Sequence, residues 1–365
     1  MILRLVWENI RFRPMRTLLS VLLIGVPVML ILTLVGITHG FMEDSRRRAT
    51  GVGADIILRP PGSAYGTGTS APIPPKLVAK LLELNPHVKQ STGVVQVTTG
   101  KIFNVLTGLD LAAFNRMNGG FIFVKGRAFE RPREILVDTS YAAEQHLQLG
   151  SKLKLMNQDW TVCGIVETGK AGHMFVEIAD LQDATGSTGI SQIYIKVDDE
   201  KNIDSVVDAM KEKMPEYSIF SMKEWVDLIN VDNISGLSVF IKVVEGIGVF
   251  TAFFVVMFSM YMAVLQRTRE IGILKSMGAT KSFVMTLILC EAGVTGLGGT
   301  IAGIGLSFVS RQALKTLVPA SLPQAIVPEW WPIAAGIAIG AAFLGAVYPG
   351  MIAVRQDPIE ALAHE

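Results

Sequence analysis

Four stretches of this chain are so apolar, over such lengths, that they confine it to a lipid bilayer. A helix of about 20 apolar residues crosses the hydrocarbon core, and such runs lie at about 17–41, 235–265, 283–309 and 332–354. Lipid offers no partner for backbone N–H and C=O groups, so each run is expected to be a helix. Half of all residues are hydrophobic and 18% are charged. That is too apolar for an ordinary soluble domain and too polar for a protein wholly immersed in lipid. The polar share is concentrated in one insert, about 42–234, between the first and second spans.

The short cationic flanks set the orientation. Arg4, Arg11, Arg13 and Arg16 precede the first span, a basic block separates the second from the third, and Arg355 follows the fourth. Arg and Lys in short loops stay in the cytoplasm, which places both termini inside and the large insert outside the cytoplasmic membrane. The first apolar run exceeds a signal peptide's usual apolar core and no A-x-A-like site follows it, so it reads as an anchor, 17–41. Before it, Leu3, Val6, Trp7 and Ile10 share one helical face, which predicts an interfacial helix within 1–16 until Pro14 turns the chain.

The insert opens on Arg46-Arg47-Arg48, read as a helical extension of the first span. Strand-like runs follow, such as Ala54–Leu58 and Gln192–Val197, with helical stretches at about 75–84, 139–148 and 202–213. The segment 60–75 is rich in Pro, Gly, Ser and Thr and reads as a loop. The alternation predicts an α+β domain. With its polar lead-in, the second span covers about 30 residues, roughly 45 Å of helix against about 30 Å of hydrocarbon. Lys242 and Glu245, at i, i+3 near its outer end, suggest a helix continuing as a stalk toward the external domain.

Inside the spans, Gly299 and Gly303 form a G-x-x-x-G, and Gly336 and Gly340 repeat the spacing in the fourth span. Small residues let helices approach closely in lipid, so both pairs are expected at packed faces, within the bundle or between subunits. Glu291 is an ionisable group inside the third span and should face protein interior or water. A structural hydrogen bond is the plainer role for it, and a proton or substrate role the other. Cys163 and Cys290 lie in segments of different character, and no bridge between them is expected.

Several functions are disfavoured. A net charge of +1 gives no reason to expect nucleic-acid binding. The five histidines occur singly without metal-ligand spacing, and there is no G-x-S-x-G elbow, so neither a metal site nor a catalytic residue is expected. No charge rings that could line a pore occur in the spans. The chain also lacks the G-x-x-x-x-G-K-[ST] phosphate loop; Lys281-Ser282 follows Gly278 without the upstream glycine at the required spacing. Any ATP-driven work must draw on a separate subunit.

The basic block, Gln266–Lys281, says most about function. Arg267, Arg269, Lys275 and Lys281 outnumber Glu270, while Ile271, Ile273, Leu274 and Met277 include pairs at helical spacing. Gly278 is well placed to end the helix. A short amphipathic helix held against the cytoplasmic face of a membrane suits docking onto a soluble partner.

This block closely resembles the signature of FtsX-like ABC transporter permeases of the MacB superfamily. Arg16–Ser20 resembles that family's approach to its first span, and Arg355–Leu362 its C-terminal motif, with Ala363 standing where the family often carries a basic residue. Gly53-Ala54-Asp55, Leu147–Leu153 and Trp160–Val166 are similar to its periplasmic core domain. The resemblance implies four transmembrane helices, with a periplasmic α+β MacB-like core domain at 42–234 between spans one (17–41) and two (235–265). It further implies a coupling helix at 266–282, spans three and four within 283–354, an FtsX-like permease domain over 235–365 and a cytoplasmic tail at 355–365. It implies a dimer with a second copy or a paralogue, bound to two ABC ATPase subunits that carry the ATP and Mg, with no cofactor on this chain. A periplasmic adaptor (membrane fusion) protein is a further possible partner. Residues expected to meet the ATPase are Arg267, Arg269, Glu270 and Lys275 through polar contacts, Ile273, Leu274 and Met277 as apolar anchor, and Gly278 and Ala279 at the close turn. Two functions follow: mechanotransmission driving export or extraction of a lipid, lipoprotein, peptide or drug, or activation of a cell-wall hydrolase outside the membrane. A membrane-anchored enzyme is the third and weakest reading.

Overall fold

In the computed structural model the described residues are 6, 8, 11, 12, 14–61, 72–99, 105–230, 237–266, 268–317 and 324–355. The expected interfacial helix, most of the loop at 60–75, Arg267 and the tail beyond Arg355 fall largely or wholly outside them. The chain divides into two compact units: one of residues 1–39, 238–318 and 324–365, the other of 40–237 and 319–323.

The first unit is helical. Helix α1 (Pro14–Thr50) begins here, and α8 (Leu237–Gln266), α9 (Thr268–Ser276), α10 (Lys281–Leu317) and α11 (Trp330–Arg355) complete it. Four of these, all but α9, are long and apolar enough to cross a membrane. Their shared core is built from Ile24 and Val28 of α1, Val256 and Met260 of α8, Val284 and Ile288 of α10, and alanines of α11. Close approach of α1 and α10 depends on missing side chains. A Cβ on Gly299 would lie 2.6 Å from Ile24 Cβ, and one on Gly303 would lie 2.6 Å from Val28 Cβ. That glycine pair lies where α10 comes close to these side chains of α1. A Cβ at Gly336 or Gly340 meets nothing within 4 Å in the chain itself, so this pair takes no part in packing within the bundle, and the between-subunit alternative stays an expectation. The packed face of α11 is instead the one bearing Ala338, Ala342, Gly345 and Ala346, where a Cβ on Gly345 would come within 2.5 Å of Phe253 O. Glycine spacing defines a stripe but does not choose which stripe of the helix meets a neighbour.

Gly303→Leu should therefore force α1 and α10 apart and cost about 1–3 kcal/mol, whereas Gly340→Leu should cost far less. Thermal aggregation midpoints of the two variants in detergent check this contrast.

The second unit is an α+β domain on a ten-stranded mixed sheet. Its strands are β1 (Ile56–Arg59), β2 (Val88–Thr98), β3 (Val105–Leu109), β4 (Phe123–Gly126), β5 (Glu134–Asp138), β6 (Lys152–Leu155), β7 (Gln158–Val166), β8 (Met174–Glu177), β9 (Gln192–Val197) and β10 (Ser218–Ser221). They run in the order β10-β1-β9-β2-β3-β8-β5-β7-β4, with β6 on β7. β3 pairs with β8, and β5 with β7, in parallel; the other pairings are antiparallel. The helices are α2 (Lys76–Leu84), α3 (Leu111–Asn118), α4 (Thr139–Glu144), α5 (Ile178–Thr185), α6 (Ile203–Lys213) and α7 (Met222–Leu228). α6 buries Val206, Val207 and Met210 with Leu81 of α2 against Ile56, Ile193 and Ile219. Tyr141 and Ala142 of α4 and Leu181 of α5 cover Ile135, Trp160 and Val176. Ser221 and Glu224 form a capping box that starts α7.

The helix expected over 139–148 ends at Glu144, because His146 takes φ 51° and the N–H of Leu147 turns back to the carbonyl of Ala142, 2.8 Å away. The Lys242–Glu245 spacing yields no bond to Glu245 Oε1, which is buried without a hydrogen-bond partner.

Candidate functional site

The basic block folds as α9, a nine-residue helix. One face, Ile271 and Gly272, is buried, with Ile271 in the helical core. The opposite face carries Arg269, Ile273 and Met277 at i, i+4, i+8, all exposed. Ile273 is 43% exposed and Met277 81%. A methionine this open, on an otherwise fixed helix, offers a soft and adaptable apolar contact. Glu270 is exposed as well, while Leu274 and Ala279 are half-buried.

The C-terminal end of this part is held by backbone chemistry. Gly278 has φ 91°, in the left-handed region, and its N–H donates to Lys275 O at 3.0 Å. The N–H of Ala279 donates to Leu274 O at 2.9 Å. Together these form a Schellman turn with Gly278 at the position where a side chain would be strained. Thr280 then starts α10, its Oγ1 accepting from the N–H of Phe283 at 3.2 Å. Lys275 is placed differently from the exposed cations. Its Nζ donates to Val354 O at 2.9 Å, tying α9 to the last turn of α11.

Behind α9 lies a cavity of about 110 Å³, lined by Met260, Val264, Glu270, Leu274, Leu287 and Glu291 among others. Glu291 is 5% exposed and reaches this space, so the one acidic group of α10's interior faces protein, as an intramembrane carboxylate should. The short helix thus rests on a partly hollow support.

The α+β unit holds a second polar constellation, one that sequence reasoning missed. Near the end of α1, Arg48 donates from Nε to Asp44 Oδ2 at 2.6 Å and from Nη1 to Asp138 Oδ2 at 3.0 Å. The same nitrogen reaches Gly172 O. His173 Nδ1 lies 2.9 Å from that Asp138 oxygen, and Asp138 Oδ1 accepts from the N–H of Tyr141 at 2.7 Å, capping α4. Asp138 is 0% exposed. Burial alone would raise its pKa, but the His173 hydrogen bond and the charges of His173 and Arg48 hold it below the usual carboxylate value. Around it, Ala171 N donates to Arg48 O at 3.1 Å, and Arg46 Nε donates to Ile229 O at 3.0 Å. A Cβ on Gly51 would collide with Gly169 O. The end of α1 is fastened by side chain, backbone and close packing at once.

Among the described residues no group of three or more His, Cys, Asp or Glu could hold a metal ion. Both cysteines are free thiols.

Comparison with known proteins gives two matches along the chain. Residues 17–213 match the family described as MacB-like periplasmic core domain, and residues 243–358 match FtsX-like permease C-terminal. The macrolide export ATP-binding/permease protein MacB of Hahella chejuensis is 25% identical over 99% of this chain and 60% of its own length. The chain thus spans about three fifths of that relative. An uncharacterized ABC transporter permease of Bacillus subtilis, YknZ, is 26% identical over 74% of this chain and 66% of its own. The periplasmic region of MacB from Actinobacillus actinomycetemcomitans aligns with 49% of this chain and 94% of its own at 14% identity, with a TM-score of 0.38.

Proposed function

Because the chain belongs to the family that joins a MacB-like periplasmic core domain to an FtsX-like permease domain, we propose that it is the membrane subunit of an ABC transporter driven by a separate ATPase docked on α9. The observation that carries this reading is the exposed row Arg269, Ile273 and Met277 on a helix whose other face is buried and whose C-terminal turn is fixed. A protruding apolar pair with a cation beside it is the pattern of a helix laid into a groove, with the aliphatic groups as anchors and the charge giving orientation.

In this reading two copies of the permease, or this chain and a paralogue, carry two ATPase subunits that bind the ATP and Mg. Glu270, Leu274, Gly278, Ala279 and the undescribed Arg267 complete the contact, while Lys275 serves it indirectly through α11. Closure of the ATPase pair displaces α9, and the displacement is passed along the spans to the external domain. The cargo is an amphipathic molecule taken from the membrane or the space outside it. The curated name of the Hahella relative, macrolide export, supports a small hydrophobic cargo without fixing one. Both termini lie in the cytoplasm, and an adaptor protein outside is compatible with the domain.

Orientation is the first thing to test. With Cys290 replaced by Ser and Met277 by Cys, a membrane-impermeant maleimide should label intact cells poorly and inverted vesicles well. Native Cys163 contributes little background, since burial pushes its thiol up to about 11. Strong labelling of Met277→Cys in intact cells would overturn the proposal. Capture of a cell-wall hydrolase on the external domain, in place of cargo or adaptor, would redirect it to signalling.

A further inference from the structure

At the end of α10 far from α9, some 30 residues or about 45 Å along the helix, the helical unit contains a small polar site that the coupling reading does not use. Leu32 and Val35 of α1, Phe308 and Arg311 of α10, Gln324 and the paired Trp330 and Trp331 enclose a cavity of about 20 Å³. The segment after Gln324 is clamped in place. Ala325 N donates to Gly36 O at 2.9 Å, and a Cβ on Gly36 would lie 2.7 Å from Ala325 O. Phe308 and Trp331 meet edge to face with centroids 6.4 Å apart.

Two atoms at this cavity are buried without a hydrogen-bond partner: Arg311 Nε, a donor, and Gln324 Oε1, an acceptor. Among the described residues no carboxylate pairs with Arg311. Buried polar atoms are rarely left unsatisfied, and here a donor and an acceptor are. The space admits about one oxygen atom with its lone pairs. Outside it, Phe308, Val309, Ile326 and Ile333 present exposed apolar surface, and tryptophans at a helix start mark the level of lipid headgroups.

We propose that this is a binding site for a phosphate-bearing amphiphile, with one phosphate oxygen seated on Arg311 Nε. The Gln324 amide, turned to present its NH₂, donates to the same group, and the acyl chains lie along Phe308, Ile326 and Ile333. A guanidinium suits phosphate in a way an ammonium does not. The site rests on the orientation proposed above only for which leaflet supplies the lipid; that α10 carries it does not depend on α9 or on an ATPase. The phosphate could come from a resident phospholipid or from the cargo, and the chemistry is shared.

The test uses the purified full chain in detergent, delipidated and titrated with short-chain phosphatidylglycerol, followed by native mass spectrometry. One tightly held lipid is expected, with occupancy lost roughly tenfold in Arg311→Gln and partly kept in Arg311→Lys. Gln324→Glu places a carboxylate beside Arg311, should keep the fold, and should abolish binding. Diacylglycerol, which lacks the phosphate, should not bind. Competition by inorganic phosphate alone would mark the site as a headgroup reader that accepts cargo phosphate; failure to compete would mark it as a site for whole lipid. Equal phosphatidylglycerol occupancy in wild type, Arg311→Gln and Gln324→Glu would leave a water as the occupant and overturn the proposal.

Discussion

Met277→Asp should strip the ATPase from the purified permease while leaving the permease folded. Met277 is 81% exposed, so the substitution disturbs nothing within the chain. If this side chain fills an ATPase groove, a carboxylate there must be desolvated without a partner. Loss of a central interface anchor costs about 2–4 kcal/mol, a fall of roughly 30- to 1000-fold in affinity. Co-purification and stimulated ATP turnover report it directly. Arg269→Glu should act more mildly and mainly on the association rate, with an effect that shrinks as salt rises. Lys275→Ala should leave docking nearly intact and instead loosen α11, because its ammonium is bound to Val354 O. Unchanged co-purification of Met277→Asp would remove α9 as the docking element.

The second large effect is expected in the external domain, at Asp138. Asp138→Ala removes the carboxylate that Arg48 and His173 share, leaves Asp44 as the remaining counter-charge of Arg48, and also uncaps α4. Removing one partner of a buried ion pair costs about 3–5 kcal/mol, which should make the domain labile to protease at growth temperature. Asp138→Asn, which keeps the cap and part of the hydrogen bonding, should fall between it and wild type. The pH dependence has a defined sign. Asp138's folded pKa lies below its unfolded value, so the stabilisation is present above the unfolded value, near 4, and is lost as pH falls toward the folded one. Wild type should therefore become protease-sensitive at acid pH, and Asp138→Asn should show a flatter profile. Identical profiles would show that the cluster carries no net stabilisation.

How much of this could be read from the sequence depends on the range of the interactions. The four spans and α9 were legible because hydropathy and helical spacing are local, and Gly278, which takes φ 91°, is a local stop. The existence of an α+β insert was legible from alternating runs, but its strand order was not. β1 lies between β9 and β10, pairing Ile57 with Tyr194 on one side and Phe220 on the other, and nothing near Ile57 announces either. The Arg48, Asp138 and His173 cluster was hidden for the same reason. Arg48 read as one of three arginines in a helical extension, and His173 as an isolated histidine; only the fold brings them to one carboxylate. At Gly336 and Gly340 a local motif was present but silent on direction, since a small-residue stripe looks the same whether it meets a helix or open space.

The turn after α9 has a mechanical consequence. Met277, Gly278 and Ala279 are each bonded back into α9, and Thr280 forward into α10, so no free residue separates the two helices. A push on the short helix has no slack to take up before the long one feels it. In the proposed machine that elbow works without backlash, and two flexible residues spliced between Ala279 and Thr280 should leave the engine attached but idling.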